Sequence, residues 1–107
     1  MLTEIALHIL LALGDGPAHG YAIGKDIETR TDGRLDPTTG SLYQALKRLT
    51  DDGFVRLVPR PANEVSDTRR KYFALTPAGR AAARDEIRRL ESIVAVGRQR
   101  QFLKPAR

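Results

Sequence analysis

The stretch Thr38-Thr39-Gly40-Ser41-Leu42-Tyr43-Gln44-Ala45-Leu46-Lys47-Arg48-Leu49-Thr50-Asp51-Asp52-Gly53 decides how this chain reads. Leu42, Leu46 and Leu49 recur at i, i+4 and i+7 with Ala45 beside them, which places four apolar side chains on one face of an α-helix. That spacing predicts a helix over 40–52. Either Thr38 or Thr39 can cap its start with a hydroxyl, and Gly53 is suited to end it. The opposite face carries Ser41, Tyr43, Gln44, Lys47 and Arg48, with no acid before Asp51. Such a helix buries one side and offers the other, polar and basic, to an anionic surface.

Toward the N-terminus, 19–31 reads as a second helix with Ala22, Ile23 and Ile27 on its stripe. Gly24 inside it costs about 1 kcal/mol relative to Ala, so a close helix crossing is expected there. His19 is expected only to start this helix. Before it, Gly14-Asp15-Gly16-Pro17 is a turn, and 2–13 is a helix apolar nearly all round. A helix of that kind needs cover on two sides, its own core on one and a second chain on the other.

Toward the C-terminus, 54–58 and 71–75 read as two strands, and the eleven residues 59–69 between them form a loop too long for a tight turn. Thr76-Pro77 then starts a helix expected to run over 77–103. Its seam Ala83, Ile87, Leu90, Val94 and Gly97 is spaced 4, 3, 4 and 3, the pattern of a two-helix interface, and Ile93 and Val96 broaden it. The fold class is therefore mainly α with a small β-hairpin. The order helix, helix, helix, strand, loop, strand, long helix is that of a winged helix-turn-helix (1–76) followed by a C-terminal dimerisation helix (77–107).

Composition narrows the function. The 107 residues carry a formal charge of +5 and no cysteine, so a disulfide framework, a thiolate zinc site and a cysteine nucleophile are excluded. The positions 1–36 sum to −3, 37–76 to +3 and 77–107 to +5, so an anionic partner meets the middle and last parts. Only two histidines occur, neither near a matched nucleophile and carboxylate, and no Gly-rich phosphate loop is present. An enzyme is not expected. The longest apolar run falls far short of the roughly 20 residues that cross a bilayer, and the N-terminus has no signal-peptide pattern. A cytoplasmic protein without membrane attachment is the expectation.

Gly20-Tyr21, then Gly40-Ser41-Leu42-Tyr43 with Ala45-Leu46 and Leu49, Gly53, and Arg70-Lys71-Tyr72-Phe73-Ala74-Leu75-Thr76-Pro77-Ala78-Gly79-Arg80 together resemble the PadR family of bacterial transcriptional regulators. The likeness covers nearly the whole chain, and the single C-terminal helix is similar to the compact subgroup. It implies a homodimer in which the last helix packs with the partner's first helix. It also implies a double-stranded DNA operator and, in most relatives, a repressor released by an effector. Two features depart from the family pattern. Gln44 stands where many relatives have proline, and the chain has no tryptophan to sandwich a flat aromatic drug.

On this footing Gln44, Lys47 and Arg48 are the candidates to read bases, since Gln matches adenine while Lys and Arg reach guanine or phosphate. Thr38, Thr39 and Ser41 can bind phosphate at the helix start as well as cap it. Tyr43 either packs at the edge of the stripe or sets its hydroxyl on a phosphate. At the wing, Arg60, Arg69, Arg70 and Lys71 favour a backbone contact at the loop's ends, Glu64 and Asp67 opposing one at its tip. Ile5, Ile9, Ala83, Ile87, Leu90 and Val94 are the expected dimer contacts. Arg80, Arg84, Arg88 and Arg89 are expected to solvate that helix and pair with its acids. Glu4 and His8, four apart on one helix, can hold a metal or be packed interface residues. No cofactor is required, and the effector is a small molecule or a divalent metal. The rival reading is a sequence-independent basic nucleic-acid-binding protein.

Overall fold

A computed structural model describes residues 2–62 and 70–105. The elements are α1 (Glu4–Ala12), β1 (Ala18–His19), α2 (Gly20–Arg30), α3 (Thr39–Asp51), β2 (Val55–Val58), β3 (Tyr72–Leu75) and α4 (Pro77–Gln99). The sheet order is β1-β3-β2, antiparallel throughout, with Ala18 opposite Phe73 and Leu57 opposite the same residue from the other side. The fold is thus mainly helical with a small antiparallel sheet, and β3 is its central strand. The two-residue β1 was not expected. It turns the hairpin into a three-stranded sheet and pins the start of α2 to the wing.

Each helix begins on a capping side chain. Thr3, Thr38 and Thr76 accept from the backbone N–H three residues on, and His19 does the same through Nδ1 at 3.1 Å from Ala22. Thr38, rather than Thr39, is the cap of α3. Gly53 ends that helix at φ +80, which lets the Phe54 N–H reach the Leu49 carbonyl at 2.9 Å. At the end of α4, Gln101 takes the corresponding left-handed position at φ 68 and Phe102 N–H bonds the Gly97 carbonyl. The last helix therefore stops at Gln99, short of the expected 103.

The core gathers Ile9, Leu10 and Leu13 of α1, Ile23 and Ile27 of α2, Leu42, Leu46 and Leu49 of α3, and Val55 and Phe73 of the sheet. Burial of this stripe is what fixes the outward face of α3. One expected dimer contact does not hold: Ile9 is fully enclosed in the chain's own core and has no surface left for a partner, whereas Ala83, largely buried in that core, also lines an open groove with Leu11 and Ile87. Ile5 is half-buried against the same core. The expected tight crossing at Gly24 is also absent, since a Cβ there would meet Leu42 at an ordinary 3.7 Å. The close approaches are at Gly20, against Tyr43, and at Gly79, against the Phe54 carbonyl.

Candidate nucleic-acid interface

With Leu42, Leu46 and Leu49 turned inward, the exposed side of α3 presents Gln44 and Lys47 at its middle, and Tyr43 and Arg48 at its two edges. The Lys47 ammonium lies 3.0 Å from Asp51 Oδ2 one turn on, an exposed pair that a stronger anion can displace. Arg48, Ser41 and Gln44 border a shallow groove shared with Leu2, Thr3 and Ile5 at the start of α1. Those three candidates therefore lie on the α1 side of the helix, and Tyr43 lies on the wing side.

Tyr43 is 39% exposed. Its ring tilts against Phe73 with centroids 6.3 Å apart, and its hydroxyl end lies over Gly20 at the start of α2. The side chain is thus packed at the edge of the stripe with its polar end near the surface. At the N-terminus of α3 the Thr38 hydroxyl accepts from the Ser41 N–H at 3.1 Å, and the Ser41 hydroxyl donates to the Thr38 carbonyl. Thr38, Thr39 and Ser41 all remain exposed.

At the wing base Arg70 and Lys71 are exposed immediately before β3. Arg69 falls outside the described residues, as do Glu64 and Asp67. Arg70 reaches back across the sheet to α2, with its guanidinium carbon 5.6 Å above the Tyr21 ring. Tyr21 was not among the expected site residues. It lies off the Ala22, Ile23 and Ile27 stripe, and its partner is distant in sequence, so only the β1–β3 pairing reveals the contact.

Leu11 of α1 and Ile87, Leu90, Ile93, Val94 and Val96 of α4 form a set of exposed apolar side chains. Of the expected contacts, Ile87, Leu90 and Val94 belong to it. The contribution from α1 is Leu11, because the helix turns Ile9 inward. Gly97 has Leu103 of the returning chain beside it. Arg89 pairs with Glu86 at 2.6 Å and holds that carboxyl below the usual range, while Arg80 donates to the Gly14 carbonyl at 2.9 Å.

Glu4 and His8 do share a face, 3.7 Å apart. Both already face arginines. Arg34 hydrogen-bonds the Glu4 carboxylate and lowers its pKa, and Arg30 sits 2.9 Å from His8 Nδ1 while also donating to the His8 carbonyl. Among the described residues no three of His, Cys, Asp and Glu cluster in a way that could hold a metal ion. Among the described residues, too, no helix is long and apolar enough to cross a membrane.

Residues 9–85 match the model of the transcriptional regulator PadR-like family. The chain is 35% identical over 91 residues to the transcriptional regulator Rv3488 of Mycobacterium tuberculosis, covering 85% of this chain and 79% of that protein. It is 50% identical over 78 residues to an uncharacterized 37.1 kDa protein of a Streptomyces fradiae transposon, of whose length it spans only 20%. Among solved structures, Bacillus subtilis PadR in complex with operator DNA is similar with a TM-score of 0.66 and 25% identity, over 79% of this chain and 47% of that one. The order of elements, the outward face of α3 and the match over 9–85 agree, and the chain belongs to the PadR-like family of transcriptional regulators.

Proposed function

We propose that the chain is a homodimeric repressor that binds a pseudo-palindromic DNA operator and is released by an effector. The observation that carries the DNA reading is the placement of Gln44 and Lys47 on the open face of α3, with Tyr43 at its edge and Arg70 and Lys71 exposed at the wing base. A helix with its apolar stripe buried and this face open fits the major groove, and the wing base fits the adjacent backbone. The DNA-bound relative supports the same reading. Residues 1–76 are the DNA-binding unit, and α4 (Pro77–Gln99) is the dimerisation element of the 77–107 segment.

The exposed apolar side chains of α4 support the dimer, since Ile87, Leu90 and Val94 recur at the 3–4 spacing of a helix seam and stand open. An effector acting at that surface would alter the separation of the two α3 helices and so the fit to two half-sites. The protein works in the cytoplasm and catalyses no reaction.

Replacing Lys47 and Arg48 together with Ala tests the assignment of α3. Both side chains are exposed, so the variant keeps its helical circular dichroism while losing operator binding by 100-fold or more, on the order expected for two groove contacts per half-site. Retained binding would remove α3 from the interface.

A further inference from the structure

Tyr21 is 65% exposed, and its ring is not part of the core. Two basic or ring-bearing side chains, His19 and Arg70, lie beside it. The His19 ring stacks at 6.4 Å and 23°, and the Arg70 guanidinium carbon lies 5.6 Å above the Tyr21 centroid. His19 Nε2 is also 3.0 Å from Arg70 Nη1. His19 Nδ1, however, accepts the Ala22 N–H as the cap of α2. A neutral imidazole has one accepting and one protonated nitrogen, so with Nδ1 accepting, Nε2 carries the proton and cannot accept from a guanidinium. Of the two neighbours, the ring face of Tyr21 is the attractive one.

A flexible arginine at a wing base loses rotamer freedom when it engages an anion. A ring that already holds the cation removes part of that loss and leaves N–H donors for a phosphate, which the planar guanidinium matches well. We infer that Tyr21 is a positioning residue for Arg70. Its ring holds the guanidinium at the junction of α2 and β3, and Arg70 from there engages a backbone phosphate. The inference rests on the DNA reading above and adds a role for a residue outside both the α3 face and the wing.

The test uses a labelled 30-base-pair duplex enriched by the wild-type chain from a random pool. Affinities are measured across a salt series for the wild type, Tyr21→Leu, Tyr21→Phe, Arg70→Ala and the Tyr21→Leu, Arg70→Ala double variant. Tyr21→Leu should bind roughly tenfold more weakly, one cation–π contact being lost per protomer. Tyr21→Phe keeps the ring face and should stay within about twofold of wild type. Arg70→Ala should lower the slope of log affinity against log salt by about two in a dimer, one phosphate per protomer. In its background, Tyr21→Leu should add less than about twofold, the signature of coupled residues. Unchanged binding by Tyr21→Leu, equal loss in Tyr21→Phe, or additive losses in the double variant would each overturn the inference while leaving the DNA reading in place. A wild-type chain that enriches no duplex would overturn both.

Discussion

The hydroxyl of Tyr43 occupies the space that a side chain on Gly20 would need: a Cβ built there lies 2.4 Å from the oxygen and 2.7 Å from the ring carbon that bears it. The first residue of α2 is therefore the floor beneath the wing-side edge of α3. Gly20→Ala must push Tyr43 outward, and the obstacle is the far end of a side chain that can swing. The helix gains up to about 1 kcal/mol of propensity, which offsets much of the lost packing. The melting temperature should change by less than about 4 °C, while DNA affinity falls several-fold because Tyr43 no longer lies along the interface. A large loss of stability with unchanged DNA affinity would contradict this.

Gly79 presents the opposite case. A Cβ there would meet the Phe54 carbonyl oxygen at 2.0 Å, and backbone cannot swing aside. The same corner is tied by the Thr76 hydroxyl donating to the Gly53 carbonyl at 2.7 Å and the Thr76 N–H donating to the Phe54 carbonyl. Gly79→Ala should destabilise the fold by about 3 kcal/mol, the upper range for overpacking, as read by urea denaturation. A loss below about 1 kcal/mol would show that α4 can shift away from β2 without penalty.

Leu90 sits at the middle of the exposed apolar surface of α4. Leu90→Asp places a charge there without touching the core of the single chain. Sedimentation should show the wild type as a dimer and the variant as a monomer at the same micromolar concentration. A variant that still sediments as a dimer would rule out the α4 surface as the contact.

Acid should loosen the link between α1 and the turn that leads into α3. Arg34 of that turn hydrogen-bonds Glu4 and lowers its carboxyl pKa, and Arg89 does the same to Glu86. A carboxyl lowered in the folded state stabilises it above the ordinary glutamate value, and that contribution disappears as the pH falls through the lowered value. The Arg34–Glu4 pair is solvent-facing, so its effect is small. The melting-temperature gap between wild type and Glu4→Gln should close as the pH is taken from about 6 to about 3. A gap that widens in acid would contradict the assigned sign.

The parts legible in the sequence were those with a clear period or a turn residue. Leu42, Leu46, Leu49 and Gly53 placed α3 to within one residue at each end, and with it the outward face. The helix α1 was legible as a helix but not in its orientation, because a segment apolar all round has no period to say which side faces in. Ile9 therefore went to the core and Leu11 to the surface. Two-residue β1 has no pattern at all, and its pairing with β3 is what brings Arg70 to Tyr21. Which glycine meets a neighbour where its side chain would go also depends on tertiary contact: Gly24 inside α2 has ordinary space, whereas Gly20 at its start faces Tyr43 and Gly79 faces the Phe54 carbonyl. The end of α4 escaped notice because Gln101, not a glycine, takes the left-handed turn.

A competition experiment at fixed physiological salt separates sequence-specific from sequence-independent DNA binding by this chain. A duplex enriched by the chain from a random pool is bound to it and displaced by an unrelated duplex of equal length. A PadR-like regulator reading bases through Gln44, Lys47 and Arg48 should need at least about a thousandfold more of the unrelated duplex than of the enriched one. Equal displacement by both would contradict sequence-specific reading and leave only a basic, sequence-independent DNA binder.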